Sequence, residues 1–254
     1  MNQPNVKASS VLKWLGTCVL ALGMISPSFA DQVTLGSAKD NTLYESATGS
    51  LSNGAGSFFF VGQTAGNLTR RGLLAFDLSS IPTGATIDSV DLTLAMTRSN
   101  AGATDVSLHQ TVIDWGEGTS DASGQEGGGA AATTGDATWI HSFSNTGFWT
   151  NAGGDFSVSA SATTSVDGVG SYTWSSTPDL VADVQSWYDN PASNFGWTLA
   201  GTGTAKQFGS RENATVGNRP SLTINYTLAV VPEPTSTAVL GLLSLATFCI
   251  RRRR

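Results

Sequence analysis

Cysteine is nearly absent from this 254-residue chain: Cys18 and Cys249 are the only two, and each lies in an apolar stretch near one end. The long segment between them therefore has no disulfide, no thiolate zinc site and no cysteine nucleophile. Histidine is as scarce, with His109 and His141 alone. That leaves little material for a histidine base or metal cluster, and both read as ordinary strand or loop residues. Basic residues are few as well: between Asp31 and Val231 there are 7 Lys and Arg against 18 Asp and Glu, a net charge of −11. Phosphate backbones repel a body of that sign, which argues against nucleic-acid binding. The sequence also lacks a Gly-x-Ser-x-Gly elbow, a phosphate loop and a His-Glu-x-x-His pair. An enzyme is not expected. A glycosidase carboxylate pair is the one catalytic arrangement the composition leaves open, and no spacing singles one out.

The two ends differ from the middle. Lys7 and Lys13 precede an apolar run from Trp14 to Ile25, followed by Ser28-Phe29-Ala30. This pattern predicts a signal peptide over residues 1–30, cut by signal peptidase between Ala30 and Asp31. Cys18 lies in mid-run rather than at the cut, which argues against a lipidated N-terminal cysteine. At the other end, residues 229–254 hold Val231-Pro232-Glu233-Pro234, an apolar stretch from Thr235 to Ile250 and the arginines 251–254. Two prolines around a glutamate stay out of helix and sheet ladders, so the motif is expected to be extended and open to a processing enzyme. The stretch is slightly short for a transmembrane helix and would cross by bilayer thinning or snorkelling, with the arginines on the cytoplasmic side.

The body over 31–228 is rich in Gly, Ser and Thr, with short apolar runs, and predicts an all-β sandwich with one short helix. Expected strands are Val33–Gly36, Ser57–Val61, Gly72–Leu78, Ser89–Thr97, Val106–Val112, Asp155–Ala160, Ser171–Trp174, Gly196–Ala200 and Ser221–Leu228. Val90, Leu92, Leu94 and Met96 alternate with Asp91, Thr93 and Ala95, the pattern of a strand wet on one face. Thr177-Pro178-Asp179 reads as an N-cap, a first-turn proline and an acidic first turn. Leu180, Val181, Val184, Trp187 and Tyr188 then follow at helical spacing up to Asn190-Pro191. Residues 116–136, mostly Gly, Ala, Ser and Thr, are expected to be a surface loop contributing little to the core.

Two resemblances add to this reading. The Pro-Glu-Pro motif, apolar stretch and arginine end resemble the PEP-CTERM sorting signal of Gram-negative bacteria that make extracellular polysaccharide. The resemblance implies that an exosortase cuts near Pro232-Glu233-Pro234. Asp40-Asn41-Thr42-Leu43-Tyr44-Glu45, Asn53-Gly54, Arg71 through Pro82, Gly84-Ala85-Thr86-Ile87, Val184 through Trp187, Asn194 through Trp197, Phe208 through Glu212 and Arg219 through Leu222 look, in that order, like the DNRLRE domain. That domain is a jelly-roll module of secreted and surface proteins, related in architecture to carbohydrate-binding modules. The motif charges Arg71, Asp77, Arg211 and Glu212 are expected to pair at sheet ends and hold the layers in register.

Two binding chemistries remain open. A flat aromatic face can cover a sugar ring, and Trp139, Phe148, Trp149, Tyr172 and Trp174 are the candidates; Trp187 and Trp197 read as core. Structural calcium needs six to eight oxygens, and Asp31, Asp40 and Glu45, or Asp114, Glu117 and Asp121, are the candidate sets. The overall expectation is an exported, C-terminally sorted protein of the cell surface or exopolysaccharide matrix of a Gram-negative bacterium, held transiently in the inner membrane. Polysaccharide binding through exposed tryptophans is the alternative, and an enzyme acting on polysaccharide the least favoured one.

Overall fold

The computed structural model describes residues 30–100 and 102–229. Residues 1–29 of the expected signal peptide 1–30, the Val231-Pro232-Glu233-Pro234 motif, the expected transmembrane stretch 235–250 and the arginines 251–254 lie outside the described residues. Among the described residues no helix is long and apolar enough to cross a membrane.

The alternation that marks residues 90–96 governs one of two sheets. Strand β5, Ala85–Ser99, buries Val90, Leu92, Leu94 and Met96 and leaves Asp91 and Thr93 partly exposed. It pairs antiparallel with β12, Ser221–Leu228, and β11, Lys206–Gly209, along one side and with β9, Gly170–Trp174, on the other. The second sheet is built on β4, Thr69–Phe76, followed by β10, Trp197–Gly201, β6, Thr104–Gln110, and β8, Ala162–Val166. Two strands serve both sheets. β1, Ala30–Tyr44, pairs with β12 over 30–36 and, past a bulge between Ser37 and Lys39, with β4 over 37–44. β3, Phe58–Gln63, pairs with β11 over 58–61 and with β4 over 62–63. The bond expected to be cut, Ala30–Asp31, is at the first residue of β1, where Ala30 faces Thr227.

The inner faces of the two sheets enclose one core. Phe59, Leu74, Val90, Leu92, Trp174, Trp197, Phe208 and Ile224 are all 0 % exposed in it. The expected helix forms as α1, Pro178–Asp189: Thr177 Oγ1 accepts from the Leu180 N–H at 3.0 Å, and Leu180, Val184 and Trp187 face the core. All-β sandwich architecture with one helix is what results.

Three expectations change. Asp155–Ala160 is not a strand. It makes a single bridge, Thr111 to Phe156, because the Asp155 carboxylate is taken by the Thr150 and Asn151 N–H groups, which coil the backbone there. β1 runs on through 37–44, and β8 and β11 form where no strand was expected. The loop over 116–136 does contribute to a core. β4 is buried on both faces: Leu74 and Phe76 point into the sandwich, whereas Leu73 and Ala75 join Leu43, Trp115, Ala137 and Trp149 in a second cluster. A layer reaching from Trp115 to Trp149, whose two-residue strand β7, Ala130–Ala131, pairs with β2, Leu51–Ser52, thus covers the outer side of the second sheet.

Buried carboxylates fasten this layer. Asp136 is 0 % exposed and accepts the N–H groups of Thr119 at 2.8 Å, Ser120 at 3.4 Å and Thr133 at 2.6 Å. Glu126 accepts from Asn53 Nδ2 and from the N–H groups of Ser57 and Phe58. Asp136→Ala leaves three backbone donors without their acceptor, each lost charged hydrogen bond costing about 1.5–3 kcal/mol before relaxation. The variant is expected to be cut by protease within 116–136 much faster than the parent while the sandwich's circular dichroism is retained. Equal cleavage rates would show that the carboxylate does not hold the loop.

Candidate functional site

Asp40 and Asn41 lie on the second half of β1, opposite Leu74 and Leu73 of β4. Asn41 is 0 % exposed; its Nδ2 donates to Ser52 Oγ at 2.9 Å and to the Glu117 carbonyl at 2.8 Å. Its Oδ1 accepts from the N–H of Thr42 and of Asn53 and from Ser52 Oγ. Glu117 is held a second time by its carboxylate, whose Oε1 accepts the Asp40 N–H at 2.9 Å. Its backbone approaches so closely that a Cβ on Gly54 would stand 1.7 Å from the Glu117 carbonyl oxygen, so only glycine fits there.

Following β11, the turn 210–213 brings in the other wall. The Arg211 N–H donates to Asp40 Oδ2 at 2.8 Å. The Arg211 guanidinium pairs with both oxygens of Glu117, at 2.7 and 2.8 Å, and with Glu212 at 2.7 Å. One carboxylate oxygen from each of Asp40, Glu117 and Glu212 lies within 4.8 Å of the others. Three carboxylates therefore share one arginine, an excess of two negative charges when all are ionised.

The excess is not otherwise answered. Asp40 is 1 % exposed, and its Oδ1 has no hydrogen-bond partner; the buried Glu212 Oε2 has none either. Burial, with the neighbouring charges of Glu212 and Glu117, pushes the Asp40 carboxyl from 3.8 up to about 8 against the lowering effect of the Arg211 N–H. Glu212 is also raised, by burial first, with Arg211 opposing. Calcium–oxygen distances of about 2.3–2.6 Å put ligands on opposite sides of the ion about 5 Å apart, so oxygens within 4.8 Å of one another span one ion. A divalent cation would supply the two missing charges and take up the free oxygens. The three carboxylates line neither the cavity beside α1 nor the smaller one beside Phe60.

The structure thus draws one residue from each expected calcium set and adds a third from the motif expected to pair charges. The other four candidates stand apart. Asp31 is exposed at the start of β1, and Glu45 accepts the Thr69 N–H. Asp114 pairs with Lys39 at 2.8 Å, and Asp121 is exposed outside the cluster. Of the motif charges expected to pair and hold the layers in register, only Arg211 and Glu212 meet each other, as neighbours within one turn, and Arg71 and Asp77 have other partners. Arg71 donates to the Gly153 carbonyl and lies over Trp139 and Phe156, and Asp77 accepts the Ser79 N–H.

The aromatic candidates do not make one platform. Trp174 is 0 % exposed with its indole N–H on the Val106 carbonyl, and Trp149 is 6 % exposed with its N–H on the Thr138 carbonyl. Both are core residues, a correction that follows from their satisfied N–H groups and buried rings. Tyr172 packs beside the main core and Trp139 in the second cluster, so these two do not share a face either. Phe148 is 69 % exposed and leans on His141 at 4.5 Å. His109 and His141 bond the Ser157 carbonyl and the Thr138 hydroxyl, as strand and loop residues do.

No protein-family model matches the chain, and no curated protein matches it.

The raised Asp40 carboxyl fixes a sign. A folded value near 8 against 3.8 unfolded means that the protonated form favours the native state. This contribution is complete below about pH 4 and lost as the pH rises towards 8. In EDTA the protein should therefore lose stability between pH 5 and 8, and calcium should restore it. At a calcium concentration one hundred times the dissociation constant the gain is about 2.7 kcal/mol. Asp40→Asn should remove both the pH-dependent loss and the calcium response in thermal melts. A calcium gain of the same size in Asp40→Asn and Glu212→Gln would rule the cluster out as the cation site.

Proposed function

We propose that this protein is an exported, non-enzymatic surface or extracellular-matrix protein: a DNRLRE-like jelly roll freed from an N-terminal signal peptide and a C-terminal PEP-CTERM tail by signal peptidase and an exosortase. Its role is structural or adhesive within the exopolysaccharide or biofilm of a Gram-negative cell. The observation that carries this reading is the order of sandwich and tail along the sequence. The last strand ends at Leu228, and Pro232-Glu233-Pro234, the apolar stretch and the four arginines follow it in that order. A cut near the motif would leave all twelve strands with the released body. The two strands shared between sheets support the jelly-roll reading, since a chain that passes from sheet to sheet closes the sandwich at its edges.

The acidic body fits the same destination. Its charge opposes adsorption to phosphate-rich surfaces and keeps a released domain soluble. A calcium ion at Asp40, Glu117 and Glu212 would be drawn from the extracellular medium and would lock the 116–136 layer to β1 and to the turn after β11.

Replacing Pro232-Glu233-Pro234 by three alanines in the producing bacterium should leave an uncleaved precursor in the membrane fraction, detected by immunoblot of fractions. Processing and release equal to the parent chain would refute the sorting reading.

A further inference from the structure

A cavity of about 190 Å³ opens where the turn after β3, the end of β5, the start of β11 and the 116–136 layer meet. It is smaller than the roughly 300–1,000 Å³ of a site for a whole small molecule, so its size suits a single chemical group. Its wall inverts the charge of the molecule. Between Asp31 and Val231 there are 7 basic residues against 18 acidic ones, yet Arg70 and Arg98 both line this cavity and no aspartate or glutamate does.

Neither arginine has a carboxylate to pair with. Among the described residues the ion pairs are those of Lys39 with Asp114 and of Arg211 with Glu117 and Glu212. Arg70 is 6 % exposed; its Nη1 donates to the Thr69 carbonyl at 3.0 Å, and the Tyr44 ring covers its guanidinium at 4.8 Å. Its Nη2 makes no hydrogen bond and, unlike the enclosed Nε, is not closed off from solvent. Arg98 is exposed and donates through Nη1 to Gln125 Oε1 at 3.1 Å, which leaves Nε and Nη2 open. Gln125 is itself held in place, because Gln207 Nε2 donates to its carbonyl at 3.0 Å. The Thr64 hydroxyl oxygen accepts the Leu68 N–H at 3.2 Å, so its proton is left to donate. A guanidinium drawn out of water without a counter-charge is costly, and burial lowers the Arg70 pKa against the raising effects of Tyr44 and Glu45.

We propose that this cavity binds a single dianionic oxyanion of the sulfate or phosphate type, held by Arg70 and Arg98. Two guanidiniums balance two negative charges, and their planar donor forks match the oxygens of such a group. A monovalent carboxylate leaves one positive charge over, and a neutral ligand leaves both. The net charge of −11 repels extended polyanions, so the ligand is a free ion or one ester group on an otherwise uncharged molecule. Asp40, Glu117 and Glu212 do not line this cavity, and the site depends neither on their cation nor on export and sorting.

The test is calorimetry on the purified full-length protein in EDTA, at ionic strength held constant with chloride, using sulfate, phosphate, acetate and glucose 6-phosphate. Sulfate or phosphate should bind saturably and acetate more weakly. Glucose 6-phosphate binding as well as phosphate would assign the ligand to an ester group, and phosphate binding alone would assign it to the free ion; either supports the site. Arg98→Gln is an exposed change that leaves the core intact, and it should weaken dianion binding about tenfold, the worth of one charged hydrogen bond. Arg98→Lys keeps the charge and should lose less. Sulfate also raises melting temperatures by exclusion from protein surfaces, so a gain of equal size in the parent and in Arg98→Gln would be that general effect and would count against the site. No saturable binding of either dianion, equal binding by Arg98→Gln, or acetate binding more tightly than both dianions would each overturn the proposal. Sorting failure in the bacterium would leave this result untouched, because the assay uses purified protein.

Discussion

The amide of Asn41 is the joint on which the outer half of the molecule depends. With Oδ1 it takes donors from Thr42, Ser52 and Asn53, and with Nδ2 it reaches Ser52 and the Glu117 carbonyl. One side chain thus ties β1, the β2 segment and the long layer into a single corner, with no solvent in contact to compete. Burying an amide is costly unless both ends are bonded, and Asn41 satisfies that condition through three segments at once. The placement of Glu117, and through it the carboxylate cluster, follows from this joint. Asp40 is next in the chain and lies on the opposite face of the strand, so the same short motif fixes the layer with one residue and presents a carboxylate with the other.

A body without cysteine must hold a long loop by other means. Glu126, Asp136 and Asp155 do this by accepting backbone N–H groups, two or three each, at points where the chain turns. The acidity that reads as surface charge in the composition is therefore partly internal scaffolding. Gly118 shows how closely these staples fit: it sits at φ +75°, and a Cβ there would fall 1.3 Å from Asp136 Oδ1. In 116–136 the small residue Gly118 lets the backbone approach and the carboxylates Glu126 and Asp136 bind it.

This explains what the sequence disclosed and what it hid. The helix was legible to within a residue, since Thr177, Pro178 and the spacing of Leu180, Val184 and Trp187 are all local signals. β12 was legible for the same reason, through Leu222, Ile224 and Tyr226. The extension of β1 was not: Asp40, Asn41 and Thr42 are buried by virtue of hydrogen bonds from distant segments, and periodicity records only apolar burial. Nor was the second cluster, because Trp115 and Trp149 are thirty-four positions apart with mostly small residues between them. Nearness in sequence groups the calcium candidates one way, whereas the fold groups Asp40, Glu117 and Glu212 across more than half the chain. Glu212 carried a local signal only as part of a charged motif, and a motif does not say which partner its charge meets.

Among the described residues, five buried side-chain atoms lack a partner, and two of them, Asp40 Oδ1 and Glu212 Oε2, fall together in the carboxylate cluster. The cluster has acceptors and negative charge in excess, and a neutral molecule would leave that charge unbalanced; a cation corrects it. A fold that satisfies nearly every other buried polar side chain, down to the indole N–H groups of Trp115, Trp149, Trp174 and Trp197, gives those two oxygens their weight.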